Sequence, residues 1–383
     1  MSNLDELVRQ RARALGFDRV GVASAREPLE PEYSRYQAFV ERGMHGAMEY
    51  LAGPPDVRRR ADTPAILEGA ASVICVAESY AAESRTPATS DASSATPSAM
   101  PPEDRGRDER NETPGVVSSL ARYARGADYH NHVRRRLRRL AAFVRRLGDG
   151  VRARPVSDAV PMLERAWARR AGLGFVGKNG LVIVPGAGSF VLLGEVVTTL
   201  ELTPDVPMNE RCGSCSLCID ACPTGAFDRP FVLDPRRCVS YLTIELPGAI
   251  PRELRAGVGE HLFGCDVCQE VCPYNRPGEP KNRDEKPATP RPSRYRPLAR
   301  WYGETMESLA ALDESRFQAL AGGSPVKRAT WAGLVRNAVT VLANRRDPRY
   351  KELFQRLARE HPDGAVREHA GWALTVLEPP CDG

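Results

Sequence analysis

Eight of the chain's ten cysteines lie between Cys212 and Cys272. Cys212, Cys215, Cys218 and Cys222 follow the pattern C-x2-C-x2-C-x3-C-P, and Cys265, Cys268 and Cys272 repeat it without its first member. Cys238, between the two runs, can supply the missing thiol. In paired runs of this kind the first three thiolates hold one iron-sulfur cubane and the fourth crosses to the other. The spacing therefore assigns Cys212, Cys215, Cys218 and Cys272 to one 4Fe-4S cluster, and Cys238, Cys265, Cys268 and Cys222 to a second. A pair of four-cysteine zinc sites also uses close thiolates, but a zinc ribbon does not require triplets that end in Cys-Pro. Two adjacent clusters make a path for single electrons, so chemistry elsewhere in the chain must consume them. Cys75, inside the apolar run Val73 to Val76, reads as a buried core thiol, and Cys381 as incidental.

The residues before the cysteines must position the acceptor. Their pattern is helix, strand, helix over Leu4–Leu15, Phe17–Ala23 and Tyr33–Leu51, then a strand at Ser72–Ala77. Ala82 to Gly115 is rich in Pro, Ser and Thr and ends in a charged run, which predicts a disordered surface insertion. A long arginine-bearing helix at Tyr129–Leu147 and a helix at Val160–Ala171 follow. Leu181–Val184 and Phe190–Thr198 are continuous apolar or β-branched runs, suited to a sheet covered on both faces. After a Pro- and charge-rich connector at 274–297, helices are expected at Thr305–Leu320, Val326–Ala343, Tyr350–Arg359 and Ala365–Leu377, joined by short turns that would let them stack as a small solenoid. The chain thus divides into an α/β domain (1–203, with the insertion at 82–115), a ferredoxin-like two-cluster domain (204–280) and an all-α domain (298–383).

At 383 residues, 42% hydrophobic and 27% charged, this is the balance of a soluble globular protein. No run of eighteen apolar residues exists to span a membrane, and the first helix carries Asp5, Glu6, Arg9, Arg11 and Arg13 where a signal peptide would be apolar. The cytoplasm is the expected location. A net charge of +5 is too mild to establish a nucleic-acid partner, but its distribution is uneven. One basic stretch runs from Arg122 to Arg154; another joins Lys327, Arg328, Arg336, Arg345, Arg346, Arg349 and Lys351 around Trp331 and Tyr350, both read as core aromatics. Gly172-Leu173-Gly174-Phe175-Val176-Gly177 has the letters of a dinucleotide fingerprint, yet it follows a helix and precedes a strand.

Several segments resemble the epoxyqueuosine reductase family in order and spacing. They are Arg122-Tyr123-Ala124-Arg125-Gly126-Ala127-Asp128-Tyr129-His130, Ser157-Asp158, Glu164-Arg165-Ala166, Gly172 to Asn179, and Gly188-Ser189 through Glu195. Cys222-Pro223-Thr224-Gly225-Ala226, Cys238 to Glu245 and Gly264-Cys265-Asp266 continue the match, which covers nearly the whole chain outside the insertion. Two departures are a Phe at 175 where Trp is usual and the variant Ser157-Asp158-Ala159-Val160-Pro161. The resemblance implies a cobalamin-binding α/β domain distantly like a nitroreductase, the two-cluster domain, and a C-terminal HEAT-like repeat domain. It implies that cobalamin receives the cluster electrons, and that an external low-potential donor supplies them. The substrate it implies is tRNA carrying epoxyqueuosine in the anticodon loop, reduced to queuosine by a monomeric enzyme. Asp158 is then the proton donor, although the bare sequence reads it first as the N-cap of the helix that follows. Arg60, His130, Asp158, Lys178, Asn179 and Ser189 become candidate cobalamin contacts, and Lys327 and Arg328 candidate tRNA contacts. Competing readings are a corrinoid-dependent reductive dehalogenase, against which the basic helical domain stands, and a non-catalytic cluster-bearing nucleic-acid-binding protein, which leaves Asp158 unused.

Overall fold

The structure is a computed structural model that describes residues 3–53, 56–80, 115–158, 160–275 and 295–378. Apart from Gly115, the expected insertion lies outside the described residues, as do most of the connector and Cys381.

The N-terminal part is a four-stranded sheet between helices. In chain order it contains α1 (Asn3–Ala14), β1 (Arg19–Ser24), α2 (Glu30–Glu41), α3 (Asp56–Arg59), β2 (Ser72–Ser79), α4 (Tyr129–Val144), β3 (Ala153–Val156), α5 (Glu164–Arg170), the two-stranded β4 (Phe175–Val176) and β5 (Val182–Ile183), and β6 (Val191–Thr198). The sheet order is β1-β2-β6-β3 and every neighbouring pair is antiparallel. Alternation along the strands splits the core in two. Ile74, Val76 and Val196 face Val8, Leu137 and Leu140 of α1 and α4; Val73, Cys75 and Val197 face Trp167 and Ala168 of α5. Burying one such Leu or Val stabilises the fold by about 1.5–3 kcal/mol, which is why the apolar runs foreseen for β2 and β6 form its centre.

Two helices are shorter than their patterns predict. The helix expected to reach Leu51 stops at Glu41, because Gly43 and Gly46 turn the chain at φ +60° and +56°. A side chain at Gly46 would also meet the Tyr241 hydroxyl at 2.5 Å. The helix expected from Val160 begins only at Glu164, with Leu163 at its N-cap. Asp158 is therefore not a helix cap, and its side chain is free for other work.

The cysteine region holds only small elements: α6 (Leu217–Asp220), β7 (Phe227–Arg229), β8 (Val232–Leu233), α7 (Val239–Ile244), α8 (Arg252–Val258) and α9 (Val267–Glu270). Beyond it the C-terminus is helical: α10 (Met306–Ala310), α11 (Glu314–Ala321), α12 (Trp331–Asn344), α13 (Lys351–Glu360) and α14 (Gly364–Leu377). The single helix expected over 305–320 is two. A Thr305/Ser308 capping box starts α10, and Asp313 accepts the Arg316 N–H to start α11. Likewise Thr330, at φ +64°, separates a 3-10 turn at Pro325–Ala329 from α12. Leu334 to Ala343 of α12 are all buried. Within that stretch Arg336 donates to the carbonyls of Leu242 at 2.7 Å and Leu246 at 2.8 Å, and Asn337 to those of Thr243 at 2.8 Å and Leu262 at 2.9 Å. These bonds satisfy carbonyls at the end of α7 and fasten the helical region onto the cysteine region. Among the described residues no helix is long and apolar enough to cross a membrane.

Candidate active site

All three parts of the chain wall one cavity of about 1000 Å³. Tyr50 and Arg58 come from the stretch around α3, Tyr129 and His130 from the start of α4, Glu164 from α5, Glu245 from the end of α7, and Lys327 and Arg328 from the turn before α12. A smaller cavity of about 200 Å³ lies between α5, β5 and β6 and includes Ser189. Tyr129, Asp158 and Glu164 line both, so they stand at the junction.

Asp158 sits there at φ +49°, a left-handed conformation that Asp tolerates better than most residues but that still costs about 1–2 kcal/mol. Its surroundings hold it in place. The Glu164 carboxylate accepts the Asp158 N–H at 2.7 Å. The Asp158 Oδ2 accepts from the Tyr129 hydroxyl at 3.1 Å and lies 3.2 Å from the His130 Nε2. The same turn builds the other side of this contact: Asp128 caps α4 by accepting the His130 N–H at 3.0 Å, and holds the His130 Nδ1 at 2.7 Å. The hydrogen bond to Asp158 raises the imidazole pKa above its ordinary value, against the opposing effect of burial and with further help from Asp128. Loss of water pushes the Glu164 carboxyl up to about 7, and the negative charge of Asp158 adds to this.

The residues singled out as cofactor contacts separate into two groups. His130, Asp158 and Ser189 line the cavities. Arg60 is exposed outside the walls, where its neighbour Arg58 takes the cavity position by donating to the Tyr50 carbonyl at 2.9 Å and lying over the Tyr36 ring. Asn179 is buried in the turn before β5, where its carbonyl oxygen accepts the Leu181 N–H at 3.2 Å. Lys178 points to the cysteines: its Nζ donates to the carbonyls of Gly213 at 2.6 Å and Cys215 at 2.9 Å. Tyr129, Arg58 and Glu164 had no role assigned from the sequence. Glu164 stood in a matched segment and adjoins the strand-to-helix turn, which was the available signal.

Ser189 marks the seam between the sheet and the cysteine region. Its Oγ donates to Gln269 at 3.0 Å and accepts from Asn275 at 2.8 Å, while its N–H donates to the Asn275 Oδ1 at 2.7 Å. Gly188 is required beside it: at φ +75°, a Cβ there would lie 1.9 Å from the Asn275 Oδ1.

Cys212, Cys215, Cys218, Cys222, Cys238, Cys265 and Cys268 carry unbridged thiols. Their electrostatic neighbours cross between the two runs. Cys272 acts on Cys212 and Cys218, and Cys222 acts on Cys238 and Cys265. Loss of water pushes Cys212 up to about 11 and Cys265 up to about 12, so a set of adjacent thiolates here needs the positive charge of bound iron. The Ala226 N–H already points at the Cys222 sulfur at 3.3 Å. The donor set therefore fits two iron-sulfur clusters.

The basic surfaces are less free than their composition suggests. Arg336 is buried in the bonds described above. Arg345 pairs with Glu260 at 2.6 Å, Arg349 with Asp347 at 2.9 Å, and Arg136 of α4 with the buried Glu78. Arg328 faces the cavity but is held by Glu245 at 2.5 Å, and Lys327 is exposed beside it. Tyr350 is buried, and the half-buried Trp331 donates to the Leu312 carbonyl at 2.6 Å, as core aromatics do.

A mixed α/β region, a two-cluster cysteine region and a helical C-terminus closing on one cavity define the layout of an iron-sulfur oxidoreductase. Residues 211–275 match the model of the 4Fe-4S double cluster binding domain, and residues 60–159 match that of epoxyqueuosine reductase QueG, DUF1730. The chain is 36% identical over 377 residues to epoxyqueuosine reductase of Pseudomonas aeruginosa, covering 97% of this chain and 94% of that one. Against the Escherichia coli enzyme the identity is 34% over 375 residues, covering 98% and 89%. A crystal structure of epoxyqueuosine reductase with a tRNA-Tyr epoxyqueuosine-modified stem loop superposes with a TM-score of 0.79 at 30% identity, covering 98% of this chain and 91% of that one. The Bacillus subtilis enzyme, solved with its catalytic aspartate loop swung out of the active site, gives a TM-score of 0.80 at 29% identity, with the same coverage. This chain belongs to the epoxyqueuosine reductase family.

Proposed function

We propose that electrons pass through the two clusters to cobalamin held beside Asp158, and that Asp158 gives a proton to the epoxide oxygen. The reaction itself is the reduction of epoxyqueuosine to queuosine in tRNA. The observation that carries the reading is the joined pair of cavities, with Asp158 at the junction and walls drawn from all three parts of the chain. The division into 1–203, 204–280 and 298–383, a monomeric state and an external low-potential donor belong to the same proposal.

The cavity volume and its polar rim fit a large cofactor together with a base, and the buried hydroxyl of Ser157, next in the chain to Asp158, has no hydrogen-bond partner among the described residues. His130, Asp158 and Ser189 are the residues that would hold it. Cobalamin, when bound, supplies a strongly reducing metal centre. The protein's own part is to orient and to protonate. Tyr129 and His130 fix the Asp158 carboxyl, and Glu164 fixes its main chain. On the far wall the paired Arg328 and the exposed Lys327 meet the tRNA backbone, where phosphate contacts position the strand and local contacts select the base.

Asp158→Asn keeps the size of the side chain and an oxygen to accept from Tyr129, but cannot give up a carboxylic proton. In single-turnover reactions with pre-reduced cobalamin, queuosine formation should fall by about 100-fold or more, the scale of a positioned acid. Clusters, cobalamin and tRNA binding should be retained. Near-wild-type conversion would remove Asp158 from the chemistry.

A further inference from the structure

Two carboxyls behind Asp158 have been given no part in the movement of protons. Glu164 accepts the Asp158 N–H at 2.7 Å and lines both cavities. Glu195 lies in the middle of β6, fully buried, and neither of its carboxyl oxygens has a hydrogen-bond partner among the described residues. Strand alternation puts Glu195 on the same face as Val191, Leu193 and Val197, which packs under α5, with Cys75 beside it on β2. A carboxylate there would meet no hydrogen-bond partner among the described residues, and burial pushes the Glu195 carboxyl well above its ordinary value, which favours the neutral acid.

Removing an epoxide oxygen as water consumes two electrons and two protons. One C–O bond breaks and its oxygen takes a proton; the second C–O bond then breaks, the alkene forms, and the hydroxyl departs as water with the second proton. The clusters supply the electrons. A single aspartic acid supplies one proton and must be recharged within the turnover.

We infer that Glu164 holds the second proton of each turnover and recharges Asp158, acting through that residue and not on the substrate itself. This rests on the reading of Asp158 as the acid. Glu164 is placed for the task because it and Asp158 line the same two cavities, through which the proton would pass, and the bond to the Asp158 N–H keeps the two residues side by side. The groups that face it explain why it keeps a proton at neutral pH. On the sheet side, among the described residues, the titratable groups are Glu195 and, beyond it, Cys75, and neither is a cation that would favour the carboxylate. Asp158 adds a negative charge; the Asp158 N–H, Arg165 on its own helix and His130 at the start of α4 oppose it. The Arg165 guanidinium is turned toward the Gly180 carbonyl at 2.5 Å. Across the larger cavity, Arg58, Lys327 and Arg328 are set against Asp128 and Glu245. A group that titrates at about 7 is half loaded at working pH, the condition for efficient proton transfer.

A plain alternative is that Glu164 only anchors the Asp158 loop. Glu164→Gln separates the two, because the amide oxygen still accepts the Asp158 N–H while the proton is lost. The holoenzyme with both clusters and cobalamin is assayed in single turnovers on an epoxyqueuosine-bearing stem loop, on both sides of neutrality, beside Asp158→Asn. The wild-type rate should decline as pH rises through about 7, when Glu164 empties. Glu164→Gln should lose about 100-fold and that limb of the profile, while keeping clusters, cobalamin and RNA affinity. Infrared titration of the substrate-free holoenzyme should show a protonated carboxyl disappearing over the same range, absent from Glu164→Gln. A wild-type rate and pH profile in Glu164→Gln, with Asp158→Asn inactive, would overturn the inference alone. An active Asp158→Asn would instead overturn the reading of Asp158. If Glu164→Gln fails to assemble, the infrared titration of the unaltered enzyme decides: no carboxyl titrating near neutrality removes Glu164 as the proton store.

Discussion

The sheet region and the cysteine region hold their shapes by different means. Around the sheet, two apolar clusters bury whole strands, and β2 exposes none of its eight residues. The cysteine region has helices of four to seven residues and a buried cluster of its own of only Tyr241, Leu242, Ile250, Leu254 and Val258. Segments this short are marginal without outside support. Its support comes from the eight thiols, from Lys178 reaching over from the sheet region, and from Arg336 and Asn337 of α12. One region is therefore expected to keep its fold without cofactors, and the other to depend on ligands and neighbours. The same difference separates their candidate sites, since the cysteines sit within one stretch of chain while the residues around Asp158 come from α4, α5 and the turn between β3 and α5.

The strongest test removes a crossing ligand. Cys272→Ala should strip the cluster that also needs Cys212, Cys215 and Cys218, lowering iron from about eight to about four per chain or fewer. Limited proteolysis should then cut within the cysteine region while the sheet region resists. Loss of the sheet region at the same rate would show that the two do not differ as argued.

A smaller effect is expected at the bridge between them. Lys178→Met removes two hydrogen bonds from a charged donor, each worth about 1.5–3 kcal/mol when buried and less here where the amine is half exposed. Anaerobic iron loss on dilution should quicken, whereas cobalamin affinity stays unchanged. A selective loss of cobalamin would restore Lys178 to the cavity.

The smallest effects concern the outer wall. Each phosphate contact removed from a single-stranded region lowers the salt slope of binding by about 0.7. Lys327→Ala should show most of that change. Arg328→Gln should show less, because Glu245 already takes up much of its charge. Equal slopes for both variants would mean that the ion pair opens when tRNA binds.

Legibility in the sequence followed the same division. Cysteine spacing is a local code, so both clusters could be read from one stretch. The central strands were equally plain, because β2 and β6 are long apolar runs, whereas the four-residue edge strand β3 was not foreseen. Helix ends were not, since Gly43, Asp313 and Thr330 interrupt stretches whose apolar spacing continues past them. The site was legible only through resemblance at Asp158. Arg60 and Lys178 are charged residues in matched motifs, but no periodicity says which way such a side chain turns. Glu195 did leave a trace: it is a lone acid inside the apolar run Phe190 to Thr198. A charge that a strand cannot expose signals a group kept neutral.

The seam at Gly188 and Ser189 bears on the enzyme's life in air. Ser189 and Gln269 are 5% and 8% exposed, and the absence of a side chain at Gly188 lets Asn275 close over them. Electrons that left the clusters on this side would cross packed, hydrogen-bonded side chains. Oxidative damage is therefore expected to begin at the outer face of the cysteine region, where Cys212, Cys215 and Cys218 are half-buried, before it reaches this seam.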